Sequence, residues 1–390
     1  MLITASLRRE GFSEISGHLN IKTDLSAELL MNDIPEGTWH LIVEAQDSLG
    51  KVIYIGETDV TIVENFITQV NLTLLPTSSG VGSIYIYVTW GQTLPLKSWI
   101  DYSKNPIFLK KQSPLNPNDI ALSKILYENG VYKMYYQNVF SSAKALVGYA
   151  ESMDGYNWKT PYLYSVSPLD TNLTSWDAYT KGIGPVLKDG DQYLLYYYGF
   201  QNQSAYWQIG LATSLDGKHF AKRSDPVIKA TETERLVVAG DIIKVNNMFY
   251  LYYTYGDASS TNYIKGISLA ISNDGVNWER YSQNPILTST QNWEGRGIGH
   301  PSVIYDGNEF KMVYMDADGT GFGIATSKDG KNWLKSGINP VFTAKNTFQN
   351  WSRGVYYPFL RKIDNKYKLF YTGNNYLGEL CIGIAEKVEW

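Results

Sequence analysis

Glu151-Ser-Met-Asp-Gly-Tyr-Asn-Trp158, Thr213-Ser-Leu-Asp-Gly-Lys-His-Phe220, Ile271-Ser-Asn-Asp-Gly-Val-Asn-Trp278 and Thr326-Ser-Lys-Asp-Gly-Lys-Asn-Trp333 are four copies of one turn. Their glycines stand at 155, 217, 275 and 330, spacings of 62, 58 and 55 residues. Asp-Gly between strands is a hairpin signal, and the aromatic that follows can pin the hairpin to its neighbour. Upstream of each turn runs an aromatic strand: Tyr132-Lys-Met-Tyr-Tyr136, Tyr193-Leu-Leu-Tyr-Tyr197, Phe249-Tyr-Leu-Tyr-Tyr253 and Phe310-Lys-Met-Val-Tyr314. A fifth strand, Tyr367-Lys-Leu-Phe-Tyr371, leads to Ile382-Gly-Ile-Ala385. A repeat of this length with four strand-like runs per copy reads as a propeller blade, and five copies predict five blades. The last copy lacks its fourth strand. Trp278-Glu-Arg-Tyr-Ser-Gln-Asn-Pro-Ile286 matches Trp99-Ile-Asp-Tyr-Ser-Lys-Asn-Pro-Ile107 ahead of the first blade. Residues of about 97–103 are therefore expected to supply the missing outer strand and leave no open edge.

Outside 94–390 the pattern changes. Residues 1–93 alternate apolar and polar residues, as in Thr38-Trp-His-Leu-Ile-Val-Glu-Ala45 and Ser83-Ile-Tyr-Ile-Tyr-Val-Thr89, with turn signals between them. This predicts a small antiparallel β-sandwich, an accessory domain before the propeller, so the fold class is all-β. Trp39 is read as core, with glycan stacking as the alternative. The composition agrees: 31 Tyr and 11 Trp suit pleated, half-buried surfaces.

With 34 Lys and Arg against 38 Asp and Glu, and no basic runs, the chain is a poor partner for nucleic acid or anionic membranes. Its apolar start is too short for a membrane span or a signal sequence, and no membrane insertion is expected. One cysteine, Cys381, excludes an internal disulfide and a cysteine-based zinc site. Phosphate loops, nucleophile elbows and HExxH motifs are absent.

In a propeller the first strand of each blade lines the channel, and function collects at its mouth. Alignment on the aromatic strands places Asn118-Asp-Ile-Ala-Leu-Ser123, Lys181-Gly-Ile-Gly-Pro185, Arg235-Leu-Val-Val-Ala-Gly240, Arg296-Gly-Ile-Gly-His-Pro301 and Arg353-Gly-Val-Tyr-Tyr-Pro358 there. Lys181, Arg235, Arg296 and Arg353 could bind sugar hydroxyls or a uronate, or brace the blades. Trp176, Trp293 and Trp351 could stack on sugars or pack between blades. Asp154, Asp216, Asp274 and Asp329 are read as turn formers. Asp241 is not repeated in other blades, which favours a chemical role.

These Ser-x-Asp-Gly-x-Asn-Trp turns and Gly-x-Tyr-x-Met-Tyr-Tyr strands resemble the furanosidase-type propeller glycosidases, the family 43 arabinanase/xylosidase and family 32 invertase/fructanase groups. The resemblance covers about residues 95–390. It implies three channel carboxylates: a base or nucleophile in the first blade, a helper Asp and a general-acid Glu. Asn118-Asp119 is similar to the invertase Asn-Asp-Pro-Asn-Gly segment, without its Pro and with a longer run to the aromatic strand. Asp241 stands where a helper could sit. Two residues before Pro301 the family 43 pattern has Glu and this chain has Gly299, so Glu294, further out, is the carboxylate left for the acid.

The expected function is hydrolysis of a plant or microbial poly- or oligosaccharide by a secreted or cell-envelope enzyme. Its expected residues are Asp119, Asp241 and Glu294, one carboxyl protonated and one ionised across the bond. No cofactor is required, although a structural cation such as calcium near His300 is compatible with the sequence. Two alternatives stay open. One is a uronate lyase using His300 or Tyr357 as base with the arginines. The other is a glycan-binding propeller without turnover.

Overall fold

The computed structural model describes residues 2–23, 26–29, 31–62, 70–76, 84–88, 99–141, 144–161, 165–166, 175–178, 181–201, 206–257, 264–388 and 390. The chain divides into two compact units, Met1–Ser103 with Glu389–Trp390, and Lys104–Val388. The expected boundary at 93/94 lies outside the described residues, as do residues 97 and 98 of the expected closing strand.

In the first unit, six antiparallel strands form one sheet, with Leu2–Arg8 and Gly37–Gln46 adjacent near its centre, and Asn20–Thr23 with Ser26–Glu28 forms a separate hairpin. The alternation read from sequence is the burial pattern: Ile3, Ala5 and Leu7 share a core with Trp39, Leu41, Val43 and Ala45. Trp39 is 1% exposed and its indole N–H donates to the Pro35 carbonyl at 2.8 Å. Its face is spent on packing, so the glycan-stacking alternative at Trp39 is set aside.

Among the described residues, the second unit forms a succession of five antiparallel sheets. Their first strands are Asp119–Glu128, Lys181–Asp189, Leu236–Val245, Ile298–Tyr305 and Val355–Ile363. Each packs on the next, and the last packs on the first, so the five make a closed ring around an axis. The second strands, such as Gln192–Gly199 and Phe310–Asp316, are buried on both faces, which is why they read as nearly unbroken aromatic and aliphatic runs.

The repeated turns fasten one sheet to the next. In each, Ser152, Ser214, Ser272 or Ser327 accepts the glycine N–H, and Asp154, Asp216, Asp274 or Asp329 accepts the following backbone amides. These aspartates are turn formers. The glycine carbonyl takes a hydroxyl from the preceding sheet, Tyr135 to Gly217 at 2.8 Å, Tyr196 to Gly275 at 2.5 Å and Tyr252 to Gly330 at 2.9 Å, and those of Gly275 and Gly330 also accept from the Trp278 and Trp333 indoles. The same tyrosines meet Phe220, Trp278 and Trp333 edge to face, and Phe370 meets Trp158 in the same way. The equivalent residue in the fourth sheet is Val313, which has no hydroxyl.

The Asn-Pro-Ile match also has a structural meaning. Asn284 bonds both the N–H and the carbonyl of Leu269, and Asn339 does the same to Ile324. Asn105 does it to Ile384 of the fifth sheet, at 3.0 and 2.8 Å, and Phe108 pairs with Ile382. A segment ahead of the first sheet thus completes the last one.

Candidate functional site at the channel mouth

All five first strands break register at one level: between Ala121 and Ser123, Ile183 and Val186, Ala239 and Asp241, Gly299 and Ser302, and Tyr356 and Phe359. The second and third sheets place Gly184 and Gly240 there. The others place Leu122, His300 and Tyr357, at φ of 48°, 49° and 53°. A residue with a Cβ in this left-handed region costs about 1–2 kcal/mol, so the side chain is held there against a backbone preference. A repeated contact supports the bulge. The N–H of Leu122 donates to Thr372 Oγ1 at 3.1 Å, that of His300 to Thr254 Oγ1 at 2.7 Å, and that of Tyr357 to Met315 Sδ at 3.2 Å.

The bulges bring His300 and Tyr357 together, edge to face with centroids 4.7 Å apart and both rings partly exposed. Tyr357 packs on the cluster containing Leu122 and Tyr198. Burial, aided by the charge of Lys124, pushes the His300 imidazole down to about 3, and burial raises the Tyr357 phenol. Both rings are therefore neutral at neutral pH and offer hydrogen bonds rather than charge. The proximity of Lys124 also argues against a cation beside His300. Among the described residues no three His, Cys, Asp or Glu side chains converge as a metal site.

Below the bulges, side chains from several first strands meet. Asp241 is fully buried and accepts from Ile242 N, Val303 N, Ser302 Oγ and both terminal nitrogens of Arg361, at 2.7–3.1 Å. Arg361 lies 3.8 Å from the Phe359 centroid, and Lys124 donates to the Gly240 carbonyl at 2.8 Å. Asp241 ties three of the five first strands together, and its oxygens are committed.

Glu294 is also fully buried, away from that group. It accepts from Lys335 at 2.7 Å, Tyr314 at 2.8 Å and the amides of Thr290 and Gln291. Burial alone would raise its pKa, but these partners outweigh it and hold the carboxyl below its ordinary value, the reverse of what a general acid needs. The arrangement recurs: Asp177 binds Tyr197 and Lys222, and Glu234 binds Tyr253 and Arg280. Glu294 is one copy of a staple in three successive sheets, formed by Asp177, Glu234 and Glu294.

Asp119 differs from both. Its Oδ1 accepts from Leu380 N at 2.7 Å and Ile120 N at 3.2 Å, and its Oδ2 has no hydrogen-bond partner among the described residues. Burial raises its pKa more than those amides and Lys110 lower it. It stands three residues before Leu122, about 10 Å toward the strand start. Among the described residues Asp119, Asp241 and Glu294 share no hydrogen-bond partner, and each carries its own set of contacts.

The other expected residues are also placed separately. Trp176 stacks on Tyr197 and Trp293 and Trp351 lie against Tyr314 and Tyr371, with centroids 5.8–5.9 Å apart, the repeated packing of one position. Arg235 pairs with Glu232, Arg296 with Asp318, and Arg353 donates to the Tyr376 carbonyl, so the guanidiniums are dispersed over local partners. The side chain of Lys181 lies outside the described residues. Sequence reasoning passed over Lys124, Ser302 and Arg361. The signal was a charge inside an otherwise apolar first strand, in Ile120–Leu126 and Tyr357–Ile363.

Residues 183–339 match the family model of the glycosyl hydrolases family 32 N-terminal domain. A β-1,2-mannobiose phosphorylase of Thermoanaerobacter sp. (strain X514) is 31% identical over 112 residues, 24% of this chain and 36% of that enzyme, so the match spans about a third of the relative. Among solved structures, a thermostable family 43 glycoside hydrolase superposes with a TM-score of 0.55 at 16% identity, covering 68% of this chain and 88% of that one. A structure from the family 130 mannoside phosphorylases, a group containing hydrolases that target β-1,2 mannosidic linkages in Candida mannan, gives 0.56 at 14% identity, covering 76% and 96%. The Bombyx mori family 32 β-fructofuranosidase in complex with sucrose gives 0.51 at 16% identity, covering 72% and 61%. In fold, and over residues 183–339 in sequence, this chain resembles the propeller glycoside hydrolases.

Proposed function

We propose that the chain is a carbohydrate-active enzyme that breaks glycosidic bonds of an oligo- or polysaccharide on a five-bladed propeller, with the sugar held at the channel mouth. The observation that carries this is the pair of strained bulges presenting His300 and Tyr357, where two other sheets make do with glycine. Neutral imidazole and phenol suit the hydroxyls of a neutral sugar. Asp119 is the proton-exchanging carboxyl: burial favours its protonated form, as a group that gives and regains a proton at a leaving oxygen requires. Asp241 and Glu294 keep structural roles. A polymeric substrate places the enzyme outside the cell or in its envelope.

A second reading is supported by the similarity to a β-1,2-mannobiose phosphorylase: inorganic phosphate, rather than water, attacks the anomeric carbon. The test is a panel of β-1,2-mannobiose, arabinobiose and sucrose, with and without inorganic phosphate, assayed for free sugar, sugar 1-phosphate and, on uronate polymers, unsaturated-uronate absorbance. Free sugar without phosphate, lost in Asp119→Asn and reduced in His300→Ala, supports the hydrolase. Phosphate-dependent sugar 1-phosphate moves the reading to phosphorolysis. Uronate absorbance would install the lyase, and binding without any product would leave a glycan-binding propeller.

A further inference from the structure

The hairpin between Lys366–Asn374 and Leu380–Lys387 ends in a turn that holds an aromatic ring in solvent. Tyr376 is 60% and Leu377 82% exposed. The turn itself is tightly braced: Asn375 Oδ1 accepts the N–H of Leu377 at 3.0 Å and of Glu379 at 2.9 Å, and Asn375 N donates to the Glu379 carbonyl at 2.9 Å. An exposed tyrosine on a braced turn loses little conformational entropy when it is covered. The Arg353 guanidinium lies 5.8 Å from the Tyr376 centroid on one side and donates to its carbonyl at 3.0 Å. The residue is otherwise largely exposed.

This turn is linked to Asp119 by an unbroken chain of contacts. Arg353 N donates to the Asn374 carbonyl at 2.8 Å, Asn374 is paired across the hairpin with Leu380, and Leu380 N donates to Asp119 Oδ1 at 2.7 Å. Asp119 and Arg353 thus flank one hairpin end, with Tyr376 at its tip. Nearby, Lys110 and Glu379 form an ion pair at 3.0 Å.

We infer that Tyr376 and Arg353 form a subsite for a neutral glycosyl unit adjacent to the bond served by Asp119. The ring covers the apolar face of the sugar and the remaining guanidinium N–H groups donate to its hydroxyls. This subsite rests on the reading of Asp119 as the reacting carboxyl.

The experiment measures calorimetric Kd values for β-1,2-mannotriose, arabinotriose and 1-kestose and their disaccharides, using the native chain, Tyr376→Ala and Tyr376→Phe, with Asp119→Asn as a second background. The native chain is expected to bind one trisaccharide more tightly than its disaccharide. Tyr376→Ala should remove that preference, raising the trisaccharide Kd about tenfold, while Tyr376→Phe keeps it. An unchanged preference in Tyr376→Ala overturns the subsite and leaves the Asp119 reading standing. Tight binding of uronate trisaccharides alone overturns the neutral-sugar assignment. If none of the saccharides binds in either background, the glycosidic function itself falls and the subsite with it.

Discussion

Asp241→Asn separates a structural carboxylate from a catalytic one. The native side chain is isosteric with asparagine, fully buried, and surrounded only by donors: two backbone amides, Ser302 Oγ and the Arg361 guanidinium. An amide at 241 turns one acceptor oxygen into an NH2 that faces Val303 N–H and Arg361, and it leaves the guanidinium without its counter-charge. Breaking a buried pair from one side costs about 3–5 kcal/mol, and since Arg361 is partly exposed the lower end, about 3 kcal/mol, is expected. That is a large share of a typical folding free energy of about 5–15 kcal/mol. Urea unfolding followed by tryptophan fluorescence reads it, and glycosidase turnover is measured at denaturant-free conditions where both proteins are folded. Lower stability with near-native turnover per folded molecule is the expected result. The double variant Asp241→Leu/Arg361→Met should recover much of the loss, because no charge is left stranded. A stable Asp241→Asn protein that loses turnover by orders of magnitude would refute this reasoning and return Asp241 to catalysis.

Other expectations follow from the seams and the surface. Tyr252→Phe removes one of two hydrogen bonds to the buried Gly330 carbonyl, leaving the Trp333 indole N–H at 3.2 Å, and should cost about 1 kcal/mol in urea unfolding. Gly182→Ala would bring a methyl within 1.7 Å of Tyr198 Cζ, so the Tyr198–Trp207 stack must shift; a loss of about 1–3 kcal/mol and an altered near-ultraviolet dichroism spectrum are expected. Burial alone would raise the Glu128 pKa, but Lys133, Lys188 and Tyr193 overcome it and hold the group at about 2. Its folded value is below its unfolded one, so its contribution is complete above about pH 4.5 and disappears as pH falls toward 2. Glu128→Gln should flatten the acid side of a stability–pH curve measured by urea midpoints.

The fold was legible because its signals are local and periodic. Asp-Gly turns, aromatic strands and the Asn-Pro-Ile match each need only a few neighbouring residues, and the structure uses them for turns, sheet cores and closure of the fifth sheet. The site was less legible because its partners are distant in sequence. Nothing near Asp241 announces Arg361, which lies 120 positions away, and the Glu294 staple repeats as Asp, Glu and Glu at uneven spacings. His300 and Tyr357 were found as candidates, but the left-handed backbone that sets them apart from Gly184 and Gly240 becomes visible only in the register of the strands.

The seams of the ring are unequal, and their inequality bears on motion. Three carry a tyrosine hydroxyl bonded across to the next turn, whereas the seams from the fourth sheet to the fifth and from the fifth to the first begin at Val313 and Phe370, which have no hydroxyl; Phe370 still packs edge to face on Trp158. His300 belongs to the fourth sheet and Tyr357 to the fifth, so the pair faces each other across this less tightly fastened junction. Thermal breathing of the ring should be larger there than at the three tyrosine seams. A substrate that bridges the two rings would then act as a clasp, tightening the junction as it binds, and amide exchange along that seam would slow in step with occupancy of the mouth.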